Sequence, residues 1–186
     1  LLLAGEGADD GLTTAEILGA CSILLFAGHD TTASLLGSGA VALCRDPDAR
    51  RRLVDLDGDD LDTAVEELLR FEAPAKAMMR TVAESHDRGG RSFEAGQAVF
   101  MAILAANRDP RVFDDAHRLH LDRDPNPHLT FGHGHHFCLG AALARLEIRL
   151  ALPALLRRFP KLELSDAPTW KPTISDRSAS HIAVRW

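Results

Sequence analysis

Cysteine is scarce in this sequence. There are three in 186 residues, Cys21, Cys44 and Cys138, far apart along the chain. An odd, sparse set builds no disulfide framework, and it suits a reducing cytoplasm. No apolar run reaches the ~18 to 20 residues that a membrane span requires, and no secretory leader is visible. An excess of positive charge is missing too. The net charge is −6, which leaves no electrostatic footprint for nucleic acid. Fixed-period repeats and low-complexity tracts are absent. The chain opens Leu1-Leu2-Leu3 without an initiator methionine, so it reads as a piece of a longer protein in which N-terminal targeting is not visible. What remains is 46% hydrophobic and 26% charged, the profile of a globular chain with one sizeable core.

Residues 5–12 read as a polar loop. Thr13-x-x-Glu16 is a capping-box pattern. Ile17, Leu18, Cys21, Leu24, Leu25, Leu35 and Leu36 then recur at helical spacing. That helix is predicted to run to about Leu43, ahead of Asp46-Pro47, and to pass through the core because it is apolar on several faces. Short helices are expected over 46–53 and 61–71. Gly89-Gly90 and Ala95-Gly96 mark turns in a β-like stretch that ends at Met101 and contains Phe93, Val99 and Phe100. Residues 102–106 look like a helix start. Residues 107–137, with Pro110, Pro125, Pro127, Gly132 and Gly134, form a loop too long to be incidental. Helical spacing returns at Leu139, Leu143, Leu146 and Leu150, with Pro153 expected to kink or break it. Short strands are expected around Leu162, Leu164, Ile182 and Val184. The fold class is mainly α with small β-sheets, in a single partial domain over residues 1–186.

The sharpest segment is Phe131-Gly132-His133-Gly134-His135-His136-Phe137-Cys138-Leu139-Gly140. Cys138 closes a glycine-rich loop, where backbone can approach a ligand. It precedes a predicted helix, whose first amides and dipole favour a thiolate. Phe131 and Phe137 are placed to shield it from water. Together these describe a deprotonated sulfur, bonded by backbone N–H groups and offered to a metal. One reading is a His/Cys zinc tract, but no second ligand pair stands at finger-like spacing and there is no C-x-x-C. The other is a thiolate ligand to haem.

A second segment is Ala27-Gly28-His29-Asp30-Thr31-Thr32, inside the first helix. Glycine and two threonines are poor helix formers, each less favourable than Ala by up to ~1 kcal/mol. A close helix crossing would explain the glycine. A groove would explain more: Gly28 removes bulk, Thr31 offers a hydroxyl and Asp30 a carboxylate. An internal threonine often bonds back to its own helix carbonyl, and one that does not is free for a ligand. A third segment, Glu67-x-x-Arg70, puts opposite charges on one helical face.

These segments resemble the cytochrome P-450 superfamily, in its bacterial form. The family's cysteine signature, F-G-x-G-x-H-x-C-x-G, is matched by Phe131, Gly132, Gly134, His136, Cys138 and Gly140, and Ala144-Arg145-Leu146-Glu147 continues the likeness. Ala27 to Thr32 is similar to the family's I-helix motif. Glu67 and Arg70 are similar to its E-x-x-R pair, and Arg123 to the third member of that network. Ala106-Asn107-Arg108-Asp109-Pro110 fits a segment after the family's next strand pair. Ala116 stands where members often carry proline.

The resemblance implies the C-terminal, haem-binding part of the cytochrome P-450 fold. It implies haem b, iron protoporphyrin IX, with Cys138 as the axial iron ligand. His136 and Arg80 would bind its propionates, and Phe131, Gly132, Gly134, Gly140 and Ala27 would adjoin it. It assigns dioxygen binding to Thr31 and proton delivery to Asp30, beside the gap at Gly28, and a structural brace to Glu67, Arg70 and Arg123. Residues 73–79 and a turn near 178–182 would line a pocket for a small organic substrate. Electrons would come from a ferredoxin- or flavodoxin-like donor with its reductase. The implied activity is a haem-thiolate monooxygenase. A half-length chain also raises the alternative of a catalytically silent fragment. His133 and His135, at variable positions of the signature, are expected on the surface.

Overall fold

A computed structural model describes residues 11–186; the polar loop expected over 5–12 lies mostly outside them. Helix α1 spans Thr14–Arg45. Its start is the expected capping box: the Thr13 amide donates to Glu16 Oε2 at 2.7 Å, and the Glu16 amide donates to Thr13 Oγ1 at 3.3 Å. Asp46 ends it and caps the next helix, α2 (Pro47–Asp55), by accepting from the Ala49 amide at 2.9 Å. Proline at the first helical position of α2 needs no N–H. Helix α3 spans Gly58–Phe71, α4 is the single turn Ile103–Ala106, and α5 spans Ala141–Arg158.

The strands are short and antiparallel. Strand β1 (Met78–Thr81) pairs with β4 (Ala98–Met101), with Arg80 opposite Val99. Strands β2 (His86–Arg88) and β3 (Arg91–Phe93) form a hairpin over Gly89 and Gly90, whose φ of 58° and 74° suits residues without a Cβ. Near the end of the chain β5 (Glu163–Leu164) pairs with β8 (Val184–Arg185), and β6 (Thr169–Trp170) with β7 (Ala179–His181). Ile182 falls outside these strands.

The core lies where α1, α2, α3 and α5 meet. Leu43, Leu53, Ala64, Leu68, Leu69, Ile148, Leu152 and Leu156 are its buried centre. Gly39 lets α1 and α5 cross closely, while Gly37 makes room for Ile182. A Cβ at Gly39 would stand 3.1 Å from Leu152 Cδ1.

Two expectations are corrected here. Apart from the buried Ile17 near its start, α1 enters the core only over its second half. Leu18, Ile23, Leu24, Leu25 (76% exposed) and Phe26 (70%) are left largely exposed among the described residues. Periodicity reports that a helix is apolar, not what covers it. Pro153 neither breaks nor ends α5, which continues to Arg158. A proline there costs ~3 kcal/mol, but Leu152 and Leu156 on either side are locked in the core, and that packing holds the helix.

Candidate functional site

Residues 107–137 carry only isolated turns, yet they are tightly held. Glu67 and Arg70, on α3, are both wholly buried. All five guanidinium N–H groups of Arg70 have acceptors. Nε and one Nη2 hydrogen go to Glu67 Oε2 and Oε1 at 2.7 and 2.8 Å. The rest reach the carbonyls of Asn107 (2.7 Å), Ala116 (2.9 Å) and Arg118 (3.1 Å). The Glu67 carboxylate also accepts from the His120 amide, Arg123 Nε and Asn126 Nδ2, at 2.9, 3.1 and 3.1 Å. The structure thus unites Glu67, Arg70 and Arg123 in one buried network. A buried charge is tolerable when it is paired and fully hydrogen-bonded, and this one is. Arg123 Nη2, Asn126 Oδ1 and His120 Nε2 have no hydrogen-bond partner among the described residues; buried polar atoms of this kind are commonly bridged by water.

Two further polar anchors were not singled out in the sequence. Asn107 is wholly buried. Its Oδ1 accepts from the Leu129 amide at 2.7 Å and its Nδ2 donates to Thr130 Oγ1 at 2.9 Å. Glu66, beside Glu67 but on another face of α3, receives Arg145 of α5 through two bonds, Nε to Oε1 at 2.6 Å and Nη2 to Oε2 at 2.8 Å. His128 Nε2 also lies 3.1 Å from Glu66 Oε2. Burial pushes the Glu66 carboxyl up, but the bonds from Arg145 and His128 outweigh it and hold the group at about 2. Glu66 and Arg145 are 79 residues apart, so no local spacing announces the pair.

The cysteine loop follows directly. Gly132 and Gly134 have φ of 74° and 75°, so the loop bends where only glycine bends freely. A 3-10 turn, Gly134–His136, lifts the chain to Phe137. The Cys138 amide donates to the Phe131 carbonyl at 2.9 Å, closing the loop on itself. Phe131 is half-buried, with the Arg145 guanidinium 4.6 Å from its ring centroid and the Phe137 ring at 6.2 Å. Two expectations fail at the sulfur. Phe131 and Phe137 do not shield it: Cys138 and Phe137 are both exposed, with the Phe137 ring against Phe131 and Phe131 against Arg145. Nor does any backbone N–H reach Sγ among the described residues; α5 begins only at Ala141, past the sulfur. Gly140 is not under conformational duress (φ −84°), and a Cβ there would lie 3.9 Å from Cys138 Sγ. His133, His135 and His136 are exposed. Among the described residues no three His, Cys, Asp or Glu side chains converge to hold a metal ion.

The α1 motif is placed apart from this loop. Gly28, Thr32 and Leu36 face Glu147, Leu150 and Ala151 of α5 across an open groove of about 540 Å³. A Cβ at Gly28 would meet nothing within 4 Å, so open space, not a helix crossing, surrounds it. Thr31 bonds back: its hydroxyl donates to the Ala27 carbonyl at 2.7 Å. The expectation of a free hydroxyl is corrected to one whose proton is engaged while its lone pairs stay open. Asp30 and Thr31 are exposed. Arg80, on β1, is exposed and donates to the Met79 carbonyl at 2.9 Å. No hydrogen bond or ion pair joins Arg80, His136, Asp30 or Thr31 to one another or to the brace among the described residues.

Known proteins match this arrangement over its whole length. The family described as Cytochrome P450 matches residues 61–179. The chain is 44% identical to the cytochrome P450 monooxygenase PikC of Streptomyces venezuelae, over 96% of this chain and 44% of PikC. It is 39% identical to the biotin biosynthesis cytochrome P450 of Bacillus subtilis, over 99% of this chain and 46% of that protein. The solved structure of the cytochrome P450 PksS of Bacillus subtilis superposes with a TM-score of 0.92 at 38% identity, covering 98% of this chain and 48% of that one. The chain spans less than half the length of these relatives. With more than half of its residues matched by the family and its helices laid out as in solved members, the chain belongs to the cytochrome P450 family.

Proposed function

We propose that the protein bearing this chain is a haem-thiolate monooxygenase. It would consume an organic substrate R–H, dioxygen, two electrons and two protons, and release R–OH and water. Membership of the family implies haem iron as the cofactor, here taken as haem b. The donor set suits that group. Cys138 presents a soft sulfur on the outer side of a braced loop. Arg80 and His136 stand exposed with no carboxylate partner among the described residues, as groups waiting for propionates would. Phe137 and Leu139 (88% exposed), on either side of Cys138, offer apolar surface to a flat macrocycle. The observation that carries the reading is this single sulfur on a loop closed by its own amide and pinned by one buried ion-pair network and one partly exposed ion pair.

When bound, the haem would supply dioxygen binding and O–O cleavage, to which thiolate ligation lends electron density. The protein's residues do the rest. Cys138 would hold the iron, Phe131, Gly132, Gly134 and Gly140 would let the loop backbone come close to the macrocycle, and Arg80 and His136 would fix its carboxylates. Ala27 and Gly28 would leave room beside the macrocycle, since a Cβ at Gly28 meets nothing within 4 Å. Thr31, its proton engaged by the Ala27 carbonyl, can accept one hydrogen bond and pass a proton on. Asp30, one residue before it and open to solvent, would resupply that proton. A ferredoxin- or flavodoxin-like donor with its reductase would provide the electrons.

The test is the spectrum of the reduced, CO-treated protein. A far-red-shifted Soret band supports Cys138 as ligand; an unshifted, imidazole-like band overturns it. The outward apolar side chains of α1 favour one second reading, that this chain by itself is catalytically silent. Stoichiometric haem uptake and substrate turnover by the 186 residues alone would refute that.

A further inference from the structure

Glu66 does more than pair with one arginine. Its two oxygens hold Arg145 in a fork and His128 by a single contact. Both of those side chains lie against the same ring: Arg145 at 4.6 Å from the Phe131 centroid, and His128 at 6.1 Å, tilted by 56°. The Phe131 carbonyl in turn accepts the Cys138 amide at 2.9 Å. A single carboxylate on α3 therefore sets two side chains around the residue to which the cysteine is tied. The Arg145 guanidinium therefore rests on the ring of the same residue whose carbonyl ties down the Cys138 amide, one residue carrying both contacts. Nothing about the Glu67 brace requires this second system, which uses different residues.

We propose that Glu66 is a positioning residue that clamps Arg145 over Phe131 and thereby sets the electrostatic environment of the Cys138 sulfur. The cluster rests on the haem-thiolate reading above. A cation held near the sulfur stabilises the extra negative charge of the reduced state, so the clamp favours reduction of the bound haem. It also predicts a sign that mere proximity does not. Removing Arg145's charge disfavours reduction. Removing Glu66's negative charge favours reduction if it acts only through space, and disfavours it if its role is to hold Arg145.

The experiment measures the one-electron reduction equilibrium of the haem-loaded protein in E66Q, R145Q, R145K and R149Q. Arg149 pairs with Asp62 at 2.9 Å and joins the same two helices away from the loop, so R149Q controls for a lost helix bridge. E66Q and R145Q are expected to shift the equilibrium towards the oxidised form, each by about threefold to tenfold, or ~28–59 mV for one electron. R145K keeps the charge without the fork and recovers part of the shift; R149Q leaves the equilibrium unchanged. A shift of opposite sign in E66Q, or none in either variant, overturns the proposal. Hydrogen exchange at the Cys138 amide gives a haem-free readout. Faster exchange in E66Q and R145Q but not in R149Q supports the clamp, and unchanged protection overturns it. Failure of the haem-thiolate reading would show separately, as an unshifted CO band in the unsubstituted protein.

Discussion

Replacing Arg70 by methionine tests the brace at its hinge. The side chain is wholly buried and makes five hydrogen bonds: two to Glu67 and three to the carbonyls of Asn107, Ala116 and Arg118. Methionine fills much of the space and makes none of them. The largest cost is the Glu67 carboxylate, left in the core with Arg123 as its remaining cation. Breaking a buried pair from one side costs about 3–5 kcal/mol. Unpaired carbonyls add about 1 kcal/mol or more each where water does not reach them. Against a total stability of about 5–15 kcal/mol, R70M should lose most of its folding free energy. With a urea m-value of ~2 kcal/mol/M, a loss of ~4 kcal/mol moves the unfolding midpoint down by ~2 M. The decisive comparison is the double variant E67M/R70M. It leaves no orphaned carboxylate, so it should be less destabilised than the sum of E67M and R70M by roughly 2 kcal/mol or more. Urea unfolding followed by circular dichroism reads all four proteins. A cost for R70M below ~1 kcal/mol, or strict additivity in the double variant, would refute a network held by buried charge.

Other positions are open to equally direct tests. Glu66, held at about 2 against an ordinary 4.5, has its carboxyl depressed by folding. Its contribution is therefore complete above ~4.5 and is lost as pH falls towards 2. After allowance for its partial exposure this amounts to ~1–2 kcal/mol, and E66Q should flatten acid unfolding between pH 4.5 and 2; an unchanged acid limb would exclude it. Asn107→Leu strands the Leu129 amide, while the Thr130 hydroxyl keeps its bond to the Leu69 carbonyl, so calorimetry should show a loss of ~1–3 kcal/mol. Gly134→Ala meets no atom within 4 Å yet must hold φ at 75°, which costs about 1–2 kcal/mol; Gly140→Ala, with φ at −84°, should be near neutral, and equal midpoints for the two would contradict the conformational argument. Thr13→Ala removes the α1 cap and should cost ~1 kcal/mol in thermal unfolding.

What could be read ahead of the structure follows a physical boundary. Local chemistry was legible. The capping box at Thr13, the stop at Asp46-Pro47 and the glycine turns at 89–90 are each decided by a few neighbouring residues. The Glu67, Arg70 and Arg123 network was legible by resemblance, since those three stand in a recognisable order. The Glu66 clamp was not. A glutamate in an acidic helix looks like any solvated charge, and its partner lies 79 residues away. The nearest signal was the Arg145 continuation beyond the cysteine, which marked the residue but not its contact. Asn107 was hidden for the same reason: it sat in a recognised segment, but its role lies in bonds 22 and 23 residues ahead. The exposed half of α1 and the uninterrupted α5 were misjudged because periodicity and propensity carry no information about tertiary cover.

That boundary also divides the candidate site. On the sulfur side, the loop is held by residues of this chain alone: the α3 brace, Asn107, and the Glu66 clamp reaching α5. On the Thr31 side, the described residues supply the helix itself and, across an open groove, Glu147, Leu150 and Ala151 of α5. Thr31 is oriented by its own bond to Ala27, and the core reaches α1 chiefly over residues 35–43, where Gly39 meets Leu152. Changes in the two halves should therefore fail differently. A substitution in the brace lowers stability and disturbs the sulfur together, because the same bonds do both. A substitution at Asp30 or Thr31 removes no tertiary hydrogen bond among the described residues, so on the proposed reading it should alter proton handling and leave stability as it was.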